Sequence, residues 1–324
     1  MEMHADDNFA TCFDHASGGT AERFQNPLWP ITEIFLGGKL RSSIAVVKEF
    51  GRRIVSNAVS DQKLRQKQDG GDTHPESHDG EAKLDQISGS LIQSLLDAIG
   101  DETMVADAAL TYLSAGRDTT GQALTWTFYL LMRHPDVVSK IRDEVQHVLD
   151  RQPDPSPELD PTRFTPVSMP YTMAVFYESL RLYPPIPFEI RQCTEAVTLP
   201  DGTFLPKHSV LVWCLWAMHR SSLTWGEDAD EFRPDRFLDL TDPEDPKLAT
   251  ARSAAEFPVF YGGPRTCLGK KMAEAIAVQV IPTVAWQFDF APAGWDLDGA
   301  ERVSKTSLTM PMEGGLPVLA QTRR

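Results

Sequence analysis

Residues 260–269 read Phe260-Tyr-Gly-Gly-Pro-Arg-Thr-Cys-Leu-Gly269, and no other stretch says as much about the fold of the chain. Cys267 stands in a glycine-rich loop directly before a predicted helix, where backbone N–H groups and the helix dipole favour thiolate over thiol. Gly263 and Gly269 permit positive φ angles and let a flat ligand approach the backbone closely. Arg265 supplies a cation suited to a carboxylate of that ligand. A lone cysteine is usually a small buried apolar residue, but the joint spacing F-x-x-G-x-R-x-C-x-G favours a ligand site.

The composition is that of an acidic globular protein. The chain has 324 residues, enough for one large domain or two ordinary ones, with 41% apolar and 24% charged residues. This balance excludes wholesale disorder and fibrous structure. Lys and Arg number 31 against 46 Asp and Glu, for a net charge of −15. Nucleic-acid phosphates repel such a chain, so we expect no nucleic-acid partner.

Cysteine usage and hydropathy bear on the cellular compartment. The four cysteines form no CxxC pair, which argues against a disulfide scaffold or a zinc module and fits a reducing compartment. The longest strongly apolar stretch, Val210 to Met218, is far shorter than the ~18–20 residues that cross a bilayer. The acidic first residues resemble neither a signal peptide nor a membrane anchor. We therefore expect this chain, taken by itself, to be soluble.

Apolar periodicity predicts a mainly α-helical chain with a minor β component. A long helix at 107–133 would extend ~40 Å at the usual rise per residue. The polar stretch 61–89 predicts a mobile surface loop without chemistry. β-branched segments within 186–216, around an Asp201-Gly202 turn, predict short strands and a hairpin. The other predicted helices are 40–59, 87–99, 136–149, 173–182 and 268–286.

The middle of the long helix carries an acid next to an alcohol. Asp118 and Thr119 lie in the run Ser-Ala-Gly-Arg-Asp-Thr-Thr, a poor helix interior because a glycine is followed by two β-branched threonines. We expect the Thr119 hydroxyl to bond the carbonyl of Ala115 and loosen the helix locally. In isolation, such a pair is more often a cap or a solvated surface.

Glu178 and Arg181 form an E-x-x-R pattern that places both side chains on one helical face. A random pair of this kind is usually exposed and contributes ~0–1 kcal/mol. A second arginine, Arg236, lies downstream in Phe232-Arg-Pro-Asp-Arg-Phe237.

These motifs, in this order, resemble the cytochromes P-450, the haem-thiolate monooxygenases. The resemblance implies that 257–269 is the haem-ligand loop, with Cys267 as the axial ligand of the haem iron. It also implies that Asp118 and Thr119 are catalytic and relay protons to dioxygen from the oxygen-activating helix 107–133. The cofactor-binding residues that it implies besides Cys267 are Phe260, Gly263, Gly269, and the propionate-binding Arg265 and Arg191.

Other residues take structural or substrate-facing roles by the same resemblance. Glu178, Arg181 and Arg236 would form a buried network that holds the haem-side core together. His219-Arg220 is interpreted as structural, since a histidine axial ligand would compete with the cysteine. The segments expected to face the substrate are Pro187-Phe188 and Thr306–Leu308.

The resemblance extends from about residue 24 to the end of the chain. In the family, a membrane anchor, several helices and most of the main β-sheet come before the region seen here. We therefore expect residues 1–324 to form a partial, N-terminally truncated P-450 domain, with one face of the haem pocket open and haem weakly held.

The resemblance implies insertion of one atom of O₂ into a C–H bond of an apolar substrate, such as a long-chain fatty acid or alkane. The cofactor would be haem b, with electrons from NADPH through a reductase. The parent protein would lie on the cytosolic face of the endoplasmic reticulum membrane. Two alternatives stay open: a non-enzymatic fragment that keeps the motifs without holding haem stably, and a haem-thiolate isomerase or dehydratase. The acid–alcohol pair argues against the second, because those reactions need no dioxygen activation.

Overall fold

The computed structural model describes residues 4–68, 91–151, 159–242, 246–249, 252–297, 299–305 and 307–323. The chain forms two compact units, Met1–Arg117 and Asp118–Arg324, and one long helix contributes to both. Helices dominate and the strands are short, so the prediction of a mainly α chain with a minor β component is confirmed. No helix in the described ranges is both long and apolar enough to cross a lipid bilayer.

The first unit is built from helices. They are α1 (His4–Gln25), α2 (Trp29–Leu36), α3 (Gly38–Gln68), α4 (91–99) and the first half of α5 (Glu102–Arg133). Phe9 of α1 stacks on Phe50 of α3 with ring centroids 4.0 Å apart. A Cβ on Gly19 would lie 2.8 Å from a methyl group of Leu40, so a glycine lets α1 approach this residue closely.

Two predicted boundaries in this unit need correction. Helix α3 continues to Gln68, so the loop predicted at 61–89 is wrong for residues 61–68, whereas 69–89 lie outside the described residues. The Lys, Arg and Gln residues of this segment are polar yet favour helix, so polarity alone did not end the helix. Helix α5 begins at Glu102 rather than at 107. Asp101 caps it, accepting hydrogen bonds from the N–H groups of Thr103 at 2.8 Å and Met104 at 3.1 Å.

Helices form the core of the second unit. After α5 come α6 (Pro135–Asp150), α7 (Pro170–Leu182), the one-turn helices α8 (Leu215–Met218) and α9 (Ser222–Trp225), and α10 (Lys270–Gln287). Pro135 and Pro170 open α6 and α7, where a missing N–H costs nothing. The second half of α5 packs with α6, α7 and α10 in one buried core, whose members include Ala123, Ile141, Phe176 and Ile281.

Four antiparallel strand pairs complete the second unit over the residues that the structure describes. They are β1 (Phe188–Gln192) with β4 (Val210–Cys214), β2 (Val197–Thr198) with β3 (Phe204–Leu205), β5 (Leu238–Asp239) with β6 (Lys247–Leu248), and β7 (Phe288–Pro292) with β8 (Val318–Thr322). The predicted hairpin is present, and Gly202 of its turn has φ +88°. In the β1–β4 pair, Glu189 lies opposite Trp213. Because side chains alternate along a strand, Glu189 and Arg191 share one face of β1.

Candidate functional site

The cysteine loop, residues 260–269 before α10, folds back on itself and presents Cys267 to solvent. The Cys267 N–H donates to the Phe260 carbonyl at 2.8 Å. The Thr266 N–H and its Oγ1 both donate to the Gly263 carbonyl, at 3.1 Å and 2.8 Å. Phe260 is half-buried and packs against the core shared by α5 and α10, whereas Cys267 is exposed with a free thiol. The loop is therefore anchored at its start and open at its sulfur.

The glycines of the loop differ in backbone conformation and in the space that a side chain would find. Gly263 has φ +60°, and a Cβ there would meet no atom within 4 Å, so its outer side is open. A Cβ on Gly262 would lie 2.5 Å from the Ala254 side chain, so only glycine fits at this position. Gly269 has φ −84° and does not use the positive φ that glycine permits, because the residue already leads into the first turn of α10. A Cβ on Gly269 would lie 3.9 Å from the Cys267 sulfur, an ordinary contact.

The start of α10 is tied to α7 by polar contacts. The Lys270 N–H donates to the Cys267 carbonyl at 3.3 Å, and the helix runs on from there. Tyr177 of α7 donates its hydroxyl to Glu274, and Lys270 Nζ lies 3.8 Å from the same carboxylate. Burial and this carboxylate raise the pKa of Tyr177. The contact that joins α7 to α10 thus lies about two helical turns beyond the cysteine.

Tyr261 joins the cysteine loop to the β1–β4 pair. Its hydroxyl donates to Glu189, the Arg191 guanidinium lies 4.6 Å from its ring centroid, and Trp213 meets the ring edge-on at 6.4 Å. Burial and the Glu189 carboxylate raise the pKa of Tyr261 to about 12. Arg191, predicted as a ligand-binding cation, is therefore brought to the cysteine loop. Arg265 lies within that loop and is exposed.

Glu178, Arg181 and Arg236 meet in a buried network. Arg181 donates to both oxygens of Glu178 at 2.8 Å, and Arg236 Nε donates to Oε1 at 3.1 Å. The Arg233 N–H adds a further hydrogen bond to that oxygen at 2.8 Å. Arg181 also donates to the carbonyls of three residues beyond α8, which are His219, Ala229 and Glu231. The network thus fastens α7 to the segment that follows β4.

His219 lies beside this network and is fully buried. Its ring is 5.1 Å from the Phe257 ring, and neither ring nitrogen finds a hydrogen-bond partner among the described residues. Burial and the nearby charge of Arg181 lower the pKa of His219 to about 4. The imidazole ring itself packs against the neighbouring rings of Trp225 and Phe257.

Asp118 and Thr119 are half-buried on α5. Thr120, the next residue, is buried, and Ala123, one turn further on, belongs to the core that also contains Ala277 of α10 and contacts Phe260. The acid–alcohol pair and the cysteine loop are thus attached to the same packed core.

The residues predicted to face the substrate are less constrained. The Pro187 carbonyl accepts a hydrogen bond from the Leu215 N–H at 2.8 Å, and Phe188 is more than half exposed. Leu308 is also exposed, whereas Thr306 lies outside the described residues. Their role stays a prediction.

The residues around Cys267 fit a haem. The free thiol is exposed, the side of Gly263 is open, and two exposed guanidinium groups, Arg265 and Arg191, are available for carboxylates. No carboxylate in the described part of the chain forms an ion pair with Arg191, so its N–H groups can meet a ligand. This donor set suits a thiolate-ligated macrocycle with two acid groups.

Comparison with known proteins agrees with this geometry. The family model described as Cytochrome P450 matches residues 48–309. The chain belongs to the cytochrome P450 family. Family membership implies a haem cofactor, which the donor set around Cys267 suits.

Several plant cytochromes P450 are similar to this one along nearly its whole length. Cytochrome P450 94A1 of Vicia sativa is 30% identical over 97% of this chain, and the match covers 57% of that relative. Cytochrome P450 86B1 of Arabidopsis thaliana is 30% identical over 96% of this chain and is covered over 54% of its length. The alkane hydroxylase MAH1 of Arabidopsis thaliana is 30% identical over 88% of this chain, with 52% of its own length covered. The chain therefore spans about half the length of these relatives.

Four residues of this P450 make contacts that local sequence patterns do not predict. Tyr261 and Glu189 connect the cysteine loop to β1. Arg142 and Glu144 of α6 contact the ends of two other helices: Glu144 accepts from the N–H groups at the start of α7, and Arg142 donates to carbonyls at the end of α10. Burial raises the pKa of Glu144 to about 7, although its hydrogen bonds with Thr172 and Tyr171 act the other way. An acidic residue near the middle of an amphipathic helix carries no local signal for such a contact.

Proposed function

We propose that this P450 carries the haem-ligating and proton-delivering parts of a haem-thiolate monooxygenase. The observation that supports this most is the exposed thiol of Cys267, held in a loop whose own backbone accepts the cysteine N–H at Phe260. The cofactor is haem b, which, when bound, supplies the activation of O₂ and the insertion of one oxygen atom into a C–H bond.

The residues of the chain bind and orient the cofactor and supply protons. Cys267 would hold the cofactor through its thiolate, with Phe260, Gly263 and Gly269 shaping the loop around the sulfur. Arg265 and Arg191 hold the carboxylates of the cofactor through charge-assisted hydrogen bonds. Thr119 Oγ1 would donate a proton during O₂ activation, and the Asp118 carboxyl would resupply that proton to Thr119. With haem bound, one turnover would use one O₂, two electrons and two protons and would release one water, the electrons coming from NADPH through a reductase.

The proposed substrate is an apolar chain, a long-chain fatty acid or an alkane. The similarity to a relative named as an alkane hydroxylase supports this class, and Phe188 and Leu308 offer exposed apolar surface for it. We propose the cytosolic face of the endoplasmic reticulum membrane as the site of the parent protein.

The carbon-monoxide spectrum of the reduced, haem-loaded chain tests the ligand assignment. Thiolate ligation gives a red-shifted Soret band that histidine ligation does not produce. Cys267→Ala should lose this band, and Cys193→Ala, which removes a free cysteine outside the loop, should keep it. A thiolate-type band in Cys267→Ala would overturn the assignment.

Haem content decides between this proposal and the non-enzymatic alternative. Haem per polypeptide is measured after expression with added haem, for this chain and for Cys193→Ala. If both bind haem and, with a reductase and NADPH, oxidise a long-chain fatty acid or alkane, the monooxygenase proposal stands. If neither retains haem, the chain is a fragment that keeps the motifs without the cofactor.

A further inference from the structure

Tyr261 adopts a backbone conformation that favours glycine. Its φ is +59° and its ψ is −170°, a region sparsely populated by residues with a side chain. Gly262, the next residue, is extended with φ −150°. The positive φ is therefore adopted by the tyrosine and not by the neighbouring glycine. Such a conformation persists only when the surroundings hold the residue in place.

The surroundings that hold Tyr261 are one face of the β1–β4 pair. Glu189 accepts its hydroxyl, the Arg191 guanidinium covers its ring, and Trp213 meets the ring edge. Glu189 and Arg191 are two residues apart on β1, and Trp213 lies opposite Glu189 on β4, so the three side chains share one face. The Tyr261 side chain of the cysteine loop packs against this face.

Two consequences follow for the proposed haem site. The Phe260 carbonyl, which accepts the Cys267 N–H, belongs to the peptide group that joins Phe260 to Tyr261, so a shift of Tyr261 moves the acceptor that orients the cysteine. The Tyr261 ring also fixes the Arg191 guanidinium from one side by a cation–π contact, without using its N–H groups. The cation is thereby oriented while its hydrogen-bond donors stay available for an anion.

We propose that Tyr261 is a positioning residue that couples the Cys267 loop to β1. It sets the direction of the thiol and the location of the cation that would hold a carboxylate of the cofactor. The coupling between Tyr261 and β1 is a property of the protein without cofactor. The orientation of the thiol and of the cation towards a cofactor rests on the proposed function.

Hydrogen exchange in the chain without haem tests the coupling itself. Tyr261→Phe removes the hydroxyl and keeps the ring, and Tyr261→Gly removes the contacts while relieving the backbone. Loss of the hydrogen bond to Glu189 should speed exchange of the Cys267 amide by about tenfold in Tyr261→Phe, and by more in Tyr261→Gly. Tyr112→Phe, at an exposed tyrosine of α5, is the matched control and should leave that amide unchanged. Exchange in Tyr261→Gly that is equal to or slower than in the wild type would overturn the proposal.

Glu189→Gln provides a second variant should Tyr261→Gly fail to fold. It keeps an acceptor oxygen but removes the charge, so we expect an increase in Cys267 amide exchange smaller than that of Tyr261→Phe. If the Cys267 amide exchanged no faster than in the wild type in both Glu189→Gln and Tyr261→Phe, the coupling would be overturned.

The effect on the cation is measured as a double-mutant cycle on haem dissociation. Arg191→Ala should speed haem loss clearly in the wild-type background and much less in the Tyr261→Gly background, because the ring that orients the guanidinium is already gone. Equal effects in both backgrounds would contradict a positioning role. If the wild type binds no haem, the proposed function fails, and the exchange experiment still decides the coupling.

Discussion

Glu144 on α6 accepts two hydrogen bonds from Thr172 at the start of α7, one from its N–H at 2.9 Å and one from its Oγ1 at 2.6 Å. A third comes from the Tyr171 N–H at 2.6 Å. Two residues earlier on α6, Arg142 donates to the carbonyls of Ala285 at 2.7 Å and Phe288 at 3.0 Å, at the end of α10. Helix α6 thus places the carboxyl group of Glu144 at the N-terminus of α7. It also places the guanidinium cation of Arg142 at the C-terminus of α10. Both arrangements match the helix dipole.

Replacing Glu144 should destabilise the fold through the start of α7. Glu144→Ala leaves two N–H groups and a hydroxyl without their acceptor, so we expect the free energy of unfolding to fall by about 1–3 kcal/mol. Glu144→Gln keeps one acceptor oxygen and should lose less. Denaturant unfolding measures both, with the solvent-facing Glu49→Ala as control because it removes only an exposed ion pair. A Glu144→Ala chain as stable as the Glu49→Ala control would show that the cap contributes nothing.

The ionisation of Glu144 makes that comparison depend on pH. Its pKa in the folded chain is about 7, above the ordinary value of 4.5, because burial disfavours the charged form. The folded state therefore holds the proton more tightly, and the stability that this provides is present below pH 4.5 and lost as the pH rises through 7. Wild type should lose stability relative to Glu144→Gln over that range. A difference that stays constant with pH would contradict the raised pKa.

Removing Glu178 should be the most damaging single change to the buried ion network. Glu178→Ala leaves the fully buried Arg181 without its carboxylate, and we expect a loss of about 3–5 kcal/mol in the free energy of unfolding. Arg163→Ala, which removes an exposed pair with Asp160, is the control and should change stability by only about 0–1 kcal/mol. Chemical denaturation compares the two variants, and similar losses in both would show that burial adds nothing here.

His219 should make the protein sensitive to acid. Its pKa falls from an ordinary 6.5 to about 4, so the stability from the neutral ring is complete above pH 6.5 and lost as the pH falls through 4. The charges of Arg181 and Arg220 both disfavour a protonated ring, which would be a third cation at this place. We expect wild type to lose up to about 3 kcal/mol relative to His219→Phe between pH 6.5 and 4. Thermal melts of both chains across this range check the prediction, and parallel curves would refute it.

Thr119→Ala should uncouple oxygen use from product formation in the haem-loaded enzyme. Without the hydroxyl, proton delivery is disturbed, so NADPH consumption continues while hydrogen peroxide rises and product falls. Thr119→Ser should retain coupling. Thr125→Ala is the matched control, since its Oγ1 donates to the Gly121 carbonyl of the same helix at 2.8 Å. Asp118→Asn should instead slow turnover. Coupling in Thr119→Ala equal to that of Thr125→Ala would remove Thr119 from the mechanism.

Local patterns were enough to predict most elements of the second unit. The helices around 136–149, 173–182 and 268–286 needed only apolar periodicity and proline punctuation, and the hairpin needed only its Asp-Gly turn. Helix α1 was not predicted, because its apolar residues are sparse and two adjacent glycines interrupt the pattern. Its Phe9 is instead stacked on Phe50 of a later helix, a contact that no window along α1 contains.

The sequence by itself determined which residues share a tight loop or a turn of helix. Cys267 and Phe260, or Glu178 and Arg181, lie within a few positions of each other, and backbone geometry over so short a span brings them together. Tertiary structure alone decided that Tyr261 meets Glu189, 72 positions away, and that Glu144 meets the start of α7, 27 positions on. The reason is physical: strand pairing and helix packing set the distances between such residues, and many intervening sequences are compatible with the same approach.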